Sequence, residues 1–152
     1  MTANDTQKKI INTIVQDCLS VRLRLINRMV GRIYDNALKP HGIRSTQFSV
    51  LAAVSAADTT TSQQLSRVLH MDTSTFSRTL GILKKNGWLD TEPSGQGKTL
   101  TVRITPEGLA KIESAYPDWQ KAQKATIEIL GASTAEQITS TGTRHLLRGM
   151  AS

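Results

Sequence analysis

Residues 61–104 switch from a helical to a strand-like hydrophobic period and place their turn signals in one order, which leaves few folds open. Thr61 and Gln64 have the spacing of a capping box, and Leu65, Val68 and Leu69 follow as one apolar helical face. His70-Met71-Asp72 interrupts that face. Asp72 suits the N-cap of a second helix, in which Phe76, Leu80 and Leu83 recur at four and three residues and form a buried stripe. Gly87-Trp88-Leu89 ends the second helix, and two strand-like runs flank Pro93-Ser94-Gly95-Gln96-Gly97. Helix, short turn, helix and hairpin, in that order, describe a winged helix-turn-helix. The expected class is mainly α with a small β-wing, and the expected ligand is double-stranded DNA.

The polar side of the second helix carries the chemistry. At about 100° per residue, Ser74, Arg78, Gly81 and Lys85 lie across from Phe76, with Thr75 and Ser77 on the flanks. Small hydroxyls beside one arginine let a helix approach base edges and phosphates closely. Each has a plainer reading as well. Arg78 can pair with Asp72 on the helix surface, and Ser74, Thr75 and Ser77 can satisfy backbone groups near the helix start. On the hairpin, Lys98 and Arg103 are phosphate candidates, Arg103 because it points away from Leu100, Val102 and Ile104.

The flanks read as helices that need a partner. Residues 6–39 are continuously helix-compatible, with Gly31 as the only interior weak point, and carry two apolar stripes. Val15, Leu19, Ile26, Val30, Ile33 and Ala37 make one, and Ile11, Ile14, Cys18, Val21, Leu25 and Met29 make the other. A lone surface helix needs one stripe, so the second implies contact with another subunit. Pro40-His41-Gly42 ends the helix, and Ser45 or Thr46 is expected to cap the next one, through Phe48, Leu51 and Val54. Thr105-Pro106-Glu107 starts a further helix with Leu109, Ile112, Tyr116 and Trp119 at helical spacing, which Pro117 should kink or restart. Gly131 caps it, and Ser133 with Glu136 opens a last helix through Ile138, His145, Leu146 and Met150.

Nineteen Lys and Arg against twelve Asp and Glu give the 152 residues a charge of +7, which suits a polyanion although the excess is not concentrated in 61–104. Arg22, Arg24, Arg28 and Arg32 form an early basic cluster that reads as a solvated helix face. A single cysteine, no secretory signal and no membrane-spanning run suit the cytoplasm. His41, His70 and His145 join no metal-ligand spacing, and there is neither a nucleophile–base–acid set nor a phosphate-cradling glycine loop, so we expect no metal, no cofactor and no enzyme.

Taken together, these segments resemble the MarR family of bacterial transcription regulators. The likeness is carried by Thr46-Gln47-Phe48-Ser49-Val50-Leu51, Leu65-Ser66, Met71-Asp72-Thr73-Ser74-Thr75-Phe76-Ser77-Arg78, Lys85-Asn86-Gly87-Trp88-Leu89, Ile104-Thr105-Pro106-Glu107-Gly108 and Tyr116-Pro117-Asp118-Trp119-Gln120-Lys121-Ala122-Gln123. It implies one MarR-type domain over 1–152, with a DNA-binding lobe at 43–105 and dimerisation helices at 6–39 and 106–150. It further implies a homodimeric repressor on a pseudo-palindromic operator, with the helix over 73–86 in the major groove. A small aromatic or carboxylate effector is the implied releasing ligand, and Ile14, Cys18, Tyr116 and Trp119 are the residues expected to bound its pocket. For these four, core packing is the competing reading. One branch of the family senses peroxide through an N-terminal cysteine, but Cys18 sits about two residues ahead of that position and on an apolar stripe. The wing departs from the family, which carries Asp and, two residues on, a minor-groove Arg where this chain has Gln96 and Lys98. Lysine lacks the planar fork that favours arginine in a narrow groove, so a more mobile and less discriminating wing is expected. The alternative function is a winged-helix nucleoid or protein-interaction module with no dedicated operator or effector.

Overall fold

The computed structural model describes residues 3–57, 60–95 and 97–150, with side chains from residue 4 to residue 144. The elements run α1 (Ala3–Asp17), α2 (Leu19–Leu38), a 3-10 turn (Lys39–His41), α3 (Ser45–Ala56), β1 (Thr60–Thr61), α4 (Ser62–Val68), α5 (Thr73–Lys85), β2 (Leu89–Pro93), β3 (Leu100–Ile104), α6 (Pro106–Leu130) and α7 (Ala132–Met150). This is a mainly helical protein with a small β-wing, as the sequence leads one to expect, and its antiparallel sheet has the order β1-β3-β2.

Local chemistry sets most of the boundaries. Thr61 and Gln64 form the capping box: the Gln64 N–H donates to Thr61 Oγ1 at 3.2 Å, and the Thr61 N–H to Gln64 Oε1 at 3.1 Å. At the other end of α4, His70 turns left-handed at φ 48°. The Met71 N–H then reaches back to the Ser66 carbonyl at 3.0 Å, and the helix-turn-helix corner is closed. Asp72 Oδ1 caps α5 through the Thr75 N–H at 2.9 Å. Gly87 ends it at φ 73°, with the Trp88 N–H donating to the Leu83 carbonyl at 3.0 Å.

Four boundaries differ from the sequence reading. Residues 6–39 do not form one helix. The break is at Cys18 (φ −68°, ψ 105°), and Gly31 stays inside α2. Arg22 satisfies the break, its Nη2 donating to the carbonyls of Val15 (3.0 Å) and Gln16 (2.9 Å) that the end of α1 leaves open. Neither Ser45 nor Thr46 caps α3. Arg44 is the N-cap, its N–H held by Gln47 Oε1 at 2.9 Å, while Asp35 Oδ1 takes both the N–H and the hydroxyl of Ser45 at 2.8 and 2.7 Å. Thr60–Thr61 adds a third strand, pairing Thr60 with Val102 and Thr61 with Thr101. Finally, α6 neither stops nor restarts at Pro117, and runs on until Gly131 closes it with an N–H to the Ile127 carbonyl at 2.9 Å. α7 starts at Ala132, and the side chains expected from His145, Leu146 and Met150 lie outside the described residues.

The core joins the lobe to the long helices. Leu38, Phe48, Leu51, Leu65, Phe76, Leu80, Leu83, Leu89, Val102 and Ala115 are all buried in one cluster, so the α5 stripe lies where its spacing puts it. Each buried Leu or Phe contributes about 1.5–3 kcal/mol. α2 packs along α6, with Tyr34, Phe48 and Trp119 in ring contact between them. Leu109 and Tyr116, expected on the same α6 stripe, are exposed.

The tightest joint lies where the wing returns. The Thr105 N–H donates to the Trp88 carbonyl at 3.2 Å, and its hydroxyl to the Gly87 carbonyl at 2.7 Å, while accepting the Gly108 N–H at 3.0 Å as the α6 cap. A Cβ on Gly108 would sit 2.2 Å from the Trp88 oxygen and 2.9 Å from Ile104 Cγ1. Gly108→Ala should therefore destabilise the protein by about 2–3 kcal/mol through backbone overpacking, read as a lower urea midpoint at fixed protein concentration. Gly81→Ala, whose Cβ meets nothing within 4 Å, should be neutral or stabilising by up to about 1 kcal/mol. Equal midpoints for Gly108→Ala and wild type would show that the joint is not rigid.

Candidate nucleic-acid interface

The surface of α5 opposite the core is wet and polar. Ser74, Thr75, Ser77, Arg78, Gly81 and Lys85 are all exposed, as the helical period requires. At the start of the helix these side chains are organised. Asp72 Oδ1 accepts the Ser74 hydroxyl at 2.7 Å, and Arg78 Nη2 donates to Ser74 Oγ at 3.4 Å. Hydrogen bonds from Thr75 and then Ser74 hold the Asp72 carboxyl well below the usual carboxylate range. It is thus ionised throughout the neutral range and acts only as an acceptor. Arg78 and Asp72 are linked through Ser74 and not by a direct ion pair. A 3.4 Å contact on an exposed surface is weak, so Arg78 exchanges it readily for a stronger acceptor. Thr75 is partly occupied at home, its N–H by Asp72 at 2.9 Å and its carbonyl by the Thr79 hydroxyl at 2.9 Å.

The wing is a hairpin closed at its tip by the Ser94 N–H on the Thr99 carbonyl at 3.1 Å. Lys98 is exposed there, next to Gly97. Gln96 lies outside the described residues. Arg103 projects from β3 on the side away from the buried Val102, with its Nη1 3.6 Å from Glu92 Oε1. Both side chains are more than half exposed, where such pairs hold with at most about 1 kcal/mol, and Arg103 remains free to meet a phosphate. The base of the wing is fixed by a residue that sequence reasoning passed over: Ser62 Oγ accepts the Leu100 N–H at 3.0 Å, tying β3 to the start of α4. Ile82 was passed over as well. It is 46% exposed on the same face as Arg78, and the four-residue spacing was the signal.

The residues put forward for a ligand pocket are only partly brought together. Tyr116 and Trp119 stack at 5.7 Å, and Trp119 borders an open groove of about 430 Å³ along α6, shared with Gln120, Gln123, Lys124, Ile127 and Glu128. The Tyr34 hydroxyl donates to Gln123 Oε1 behind it. Burial pushes the Tyr34 phenol above its ordinary value, offset in part by the Thr126 hydroxyl. Ile14, on the exposed face of α1, and Cys18, half-buried at the α1–α2 break, do not line that groove.

The lobe is tied to α6 by charge. Lys111 Nζ donates to the His41 carbonyl at 3.1 Å and lies 5.0 Å from the centre of the Trp88 ring. His41 Nε2 is 2.9 Å from Asp118 Oδ2, and Lys121 meets the other carboxylate oxygen at 2.7 Å. Lys121 first, and His41 second, hold the Asp118 carboxyl below its ordinary value.

The chain was compared with known proteins. Residues 41–98 match the family model described as MarR family. The multiple antibiotic resistance protein MarR of Salmonella typhimurium is 32% identical over 93 residues, which is 60% of this chain and 65% of that protein. A mutant MarR from Escherichia coli, solved in complex with operator DNA, superposes with a TM-score of 0.73 at 22% identity, over 87% of this chain and 96% of that one. The transcriptional regulator MosR of Mycobacterium tuberculosis, solved in complex with DNA, gives 0.72 at 25% identity, over 84% and 96%. With residues 41–98 matching the MarR family model and most of the chain superposing on MarR structures, the protein has the MarR winged helix-turn-helix fold and resembles the MarR family in its lobe.

Proposed function

We propose that this protein is a homodimeric DNA-binding transcription repressor that reads a pseudo-palindromic operator with one α5 in each half-site. The observation that carries this reading is the α5 surface, a basic and hydroxyl-rich helix face held out by a buried apolar stripe. DNA complexes of structural neighbours support the same use of the fold.

The dimer is supported by what a single chain leaves wet. Ile10, Ile11, Ile14 and Val15 on α1, Leu19, Leu23 and Leu25 on α2, and Ile138 on α7 are each about half exposed or more. Large apolar side chains left exposed in this number are what an interface would cover. Two-fold pairing of these helices would present two α5 helices about one duplex turn apart, and one short recognition face gains specificity only when doubled. The groove beside Trp119, apolar and bordered by Lys124, suits a small aromatic carboxylate as the releasing ligand. No helix among the described residues is long and apolar enough to cross a membrane.

The function is tested by the affinity of the full chain for the duplex upstream of its own coding sequence, relative to random duplex, at one salt concentration. Preference by roughly 10³ or more is expected; a ratio near one would leave the nucleoid-type module. Arg78→Ala should weaken operator binding by about 1–3 kcal/mol and relax preference at one position of each half-site. An unchanged isotherm would remove Arg78 from the interface. Lys98→Ala, at the wing tip, should weaken operator and random duplex alike and reduce the slope of log affinity against log salt by about one unit. A change of specificity at constant slope would mean that Lys98 reads bases instead.

A further inference from the structure

The polar face of α5 contains one residue that does not fit it. Ile82 is a branched apolar side chain, 46% exposed, one turn beyond Arg78 in the row Ser74, Arg78, Ile82. Its exposed neighbours at helical spacing, Arg78, Lys85 and Asn86, are all polar. Beside it, Gly81 weakens a helix interior by about 1 kcal/mol relative to alanine. Nothing inside the protein requires that glycine, since an added Cβ would meet no atom within 4 Å. An exposed glycine next to an exposed isoleucine is what close approach by an outside surface would need. The charge around them identifies that surface as a polyanion, and the one apolar group that a duplex offers in its major groove is the thymine 5-methyl.

Resting on the DNA-binding role proposed above, we propose that Ile82 is a specificity-determining residue that reads a thymine methyl in each half-site, with Gly81 letting the helix lie close enough. Four residues of α-helix advance about 6 Å, and stacked bases are about 3.4 Å apart. The thymine therefore lies about two base pairs from the position that Arg78 contacts. The contact has no charge, so it adds sequence preference without steepening the salt dependence.

The experiment separates this contact from the reading beneath it. The full chain selects its preferred duplex from a random pool, and each thymidine of the selected site is then replaced by deoxyuridine, which removes only the methyl group. At one position of each half-site the replacement should weaken wild-type binding roughly 3–10-fold. Ile82→Ala, exposed and so expected to melt with wild type, should bind the thymidine and deoxyuridine duplexes equally, and Ile82→Val should keep most of the discrimination. Wild type indifferent to deoxyuridine at every position, or Ile82→Ala losing affinity as wild type does, would overturn the contact while leaving the DNA-binding role in place. Failure to select any sequence would overturn both.

Discussion

The backbone oxygen of Trp88 is the point on which the arrangement turns. It accepts the Thr105 N–H and faces the bare Cα of Gly108, so the end of α5, the return of the wing and the first turn of α6 share one small volume. Three directions are fixed there together. α5 cannot swing relative to α6 without breaking the bonds from Thr105, the α6 N-cap, to the Gly87 and Trp88 carbonyls. Lys111 adds a second tie from α6, over the Trp88 ring and onto the His41 carbonyl, and His41 in turn meets Asp118 on α6. Local turn chemistry thus becomes a fixed angle between α5, which carries the exposed polar face, and the long helix α6.

What the sequence made legible is what short-range chemistry controls. The Thr61–Gln64 box, the Asp72 and Thr105 caps, and the Gly87 and Gly131 closures are each settled within a few residues, and all stand where their residue types put them. The stripe of Phe76, Leu80 and Leu83 is likewise a consequence of period alone. The misreadings come from longer reach. At the break of the first helix Arg22 reaches back past Cys18 to carbonyls six and seven residues away, and no proline or glycine gives warning. Asp35 claims Ser45 from ten residues away and leaves Arg44 as the cap. β1 is two threonines whose strand character exists only through β3.

The candidate interface divides in the same way. Which residues face outward on α5 follows from the helical repeat, and the exposed set includes every one read from the sequence. How they are partnered does not follow. The Ser74 hydroxyl has one proton and gives it to Asp72, so toward Arg78, or toward DNA, it offers lone pairs alone. Donating to a phosphate would first require leaving an ionised carboxylate, which is the stronger acceptor bond to surrender. Arg78 has no such commitment. Ser74 thus offers Arg78 only a weak 3.4 Å contact, and among the described residues Ser77 has no hydrogen bond of the kind that ties Ser74 to Asp72.

Under the ligand-released repression proposed above, coupling between ligand and DNA would pass along α6. The groove beside Trp119 and the Gly108 joint lie on one unbroken helix that runs through Pro117, with Asp118 and Lys111 spaced between them toward the lobe. A ligand lowers affinity for DNA only by the difference in its own affinity for the two dimer geometries, and moving an even balance to 99:1 takes about 2.7 kcal/mol. A stacked ring and one ion pair can supply that difference. The close packing of Gly108 on the Trp88 oxygen would pass a small rotation of α6 on to α5 instead of absorbing it in a loose turn. In the proposed two-fold dimer such a rotation would act on both protomers and change the separation of the two α5 helices without changing the shape of either.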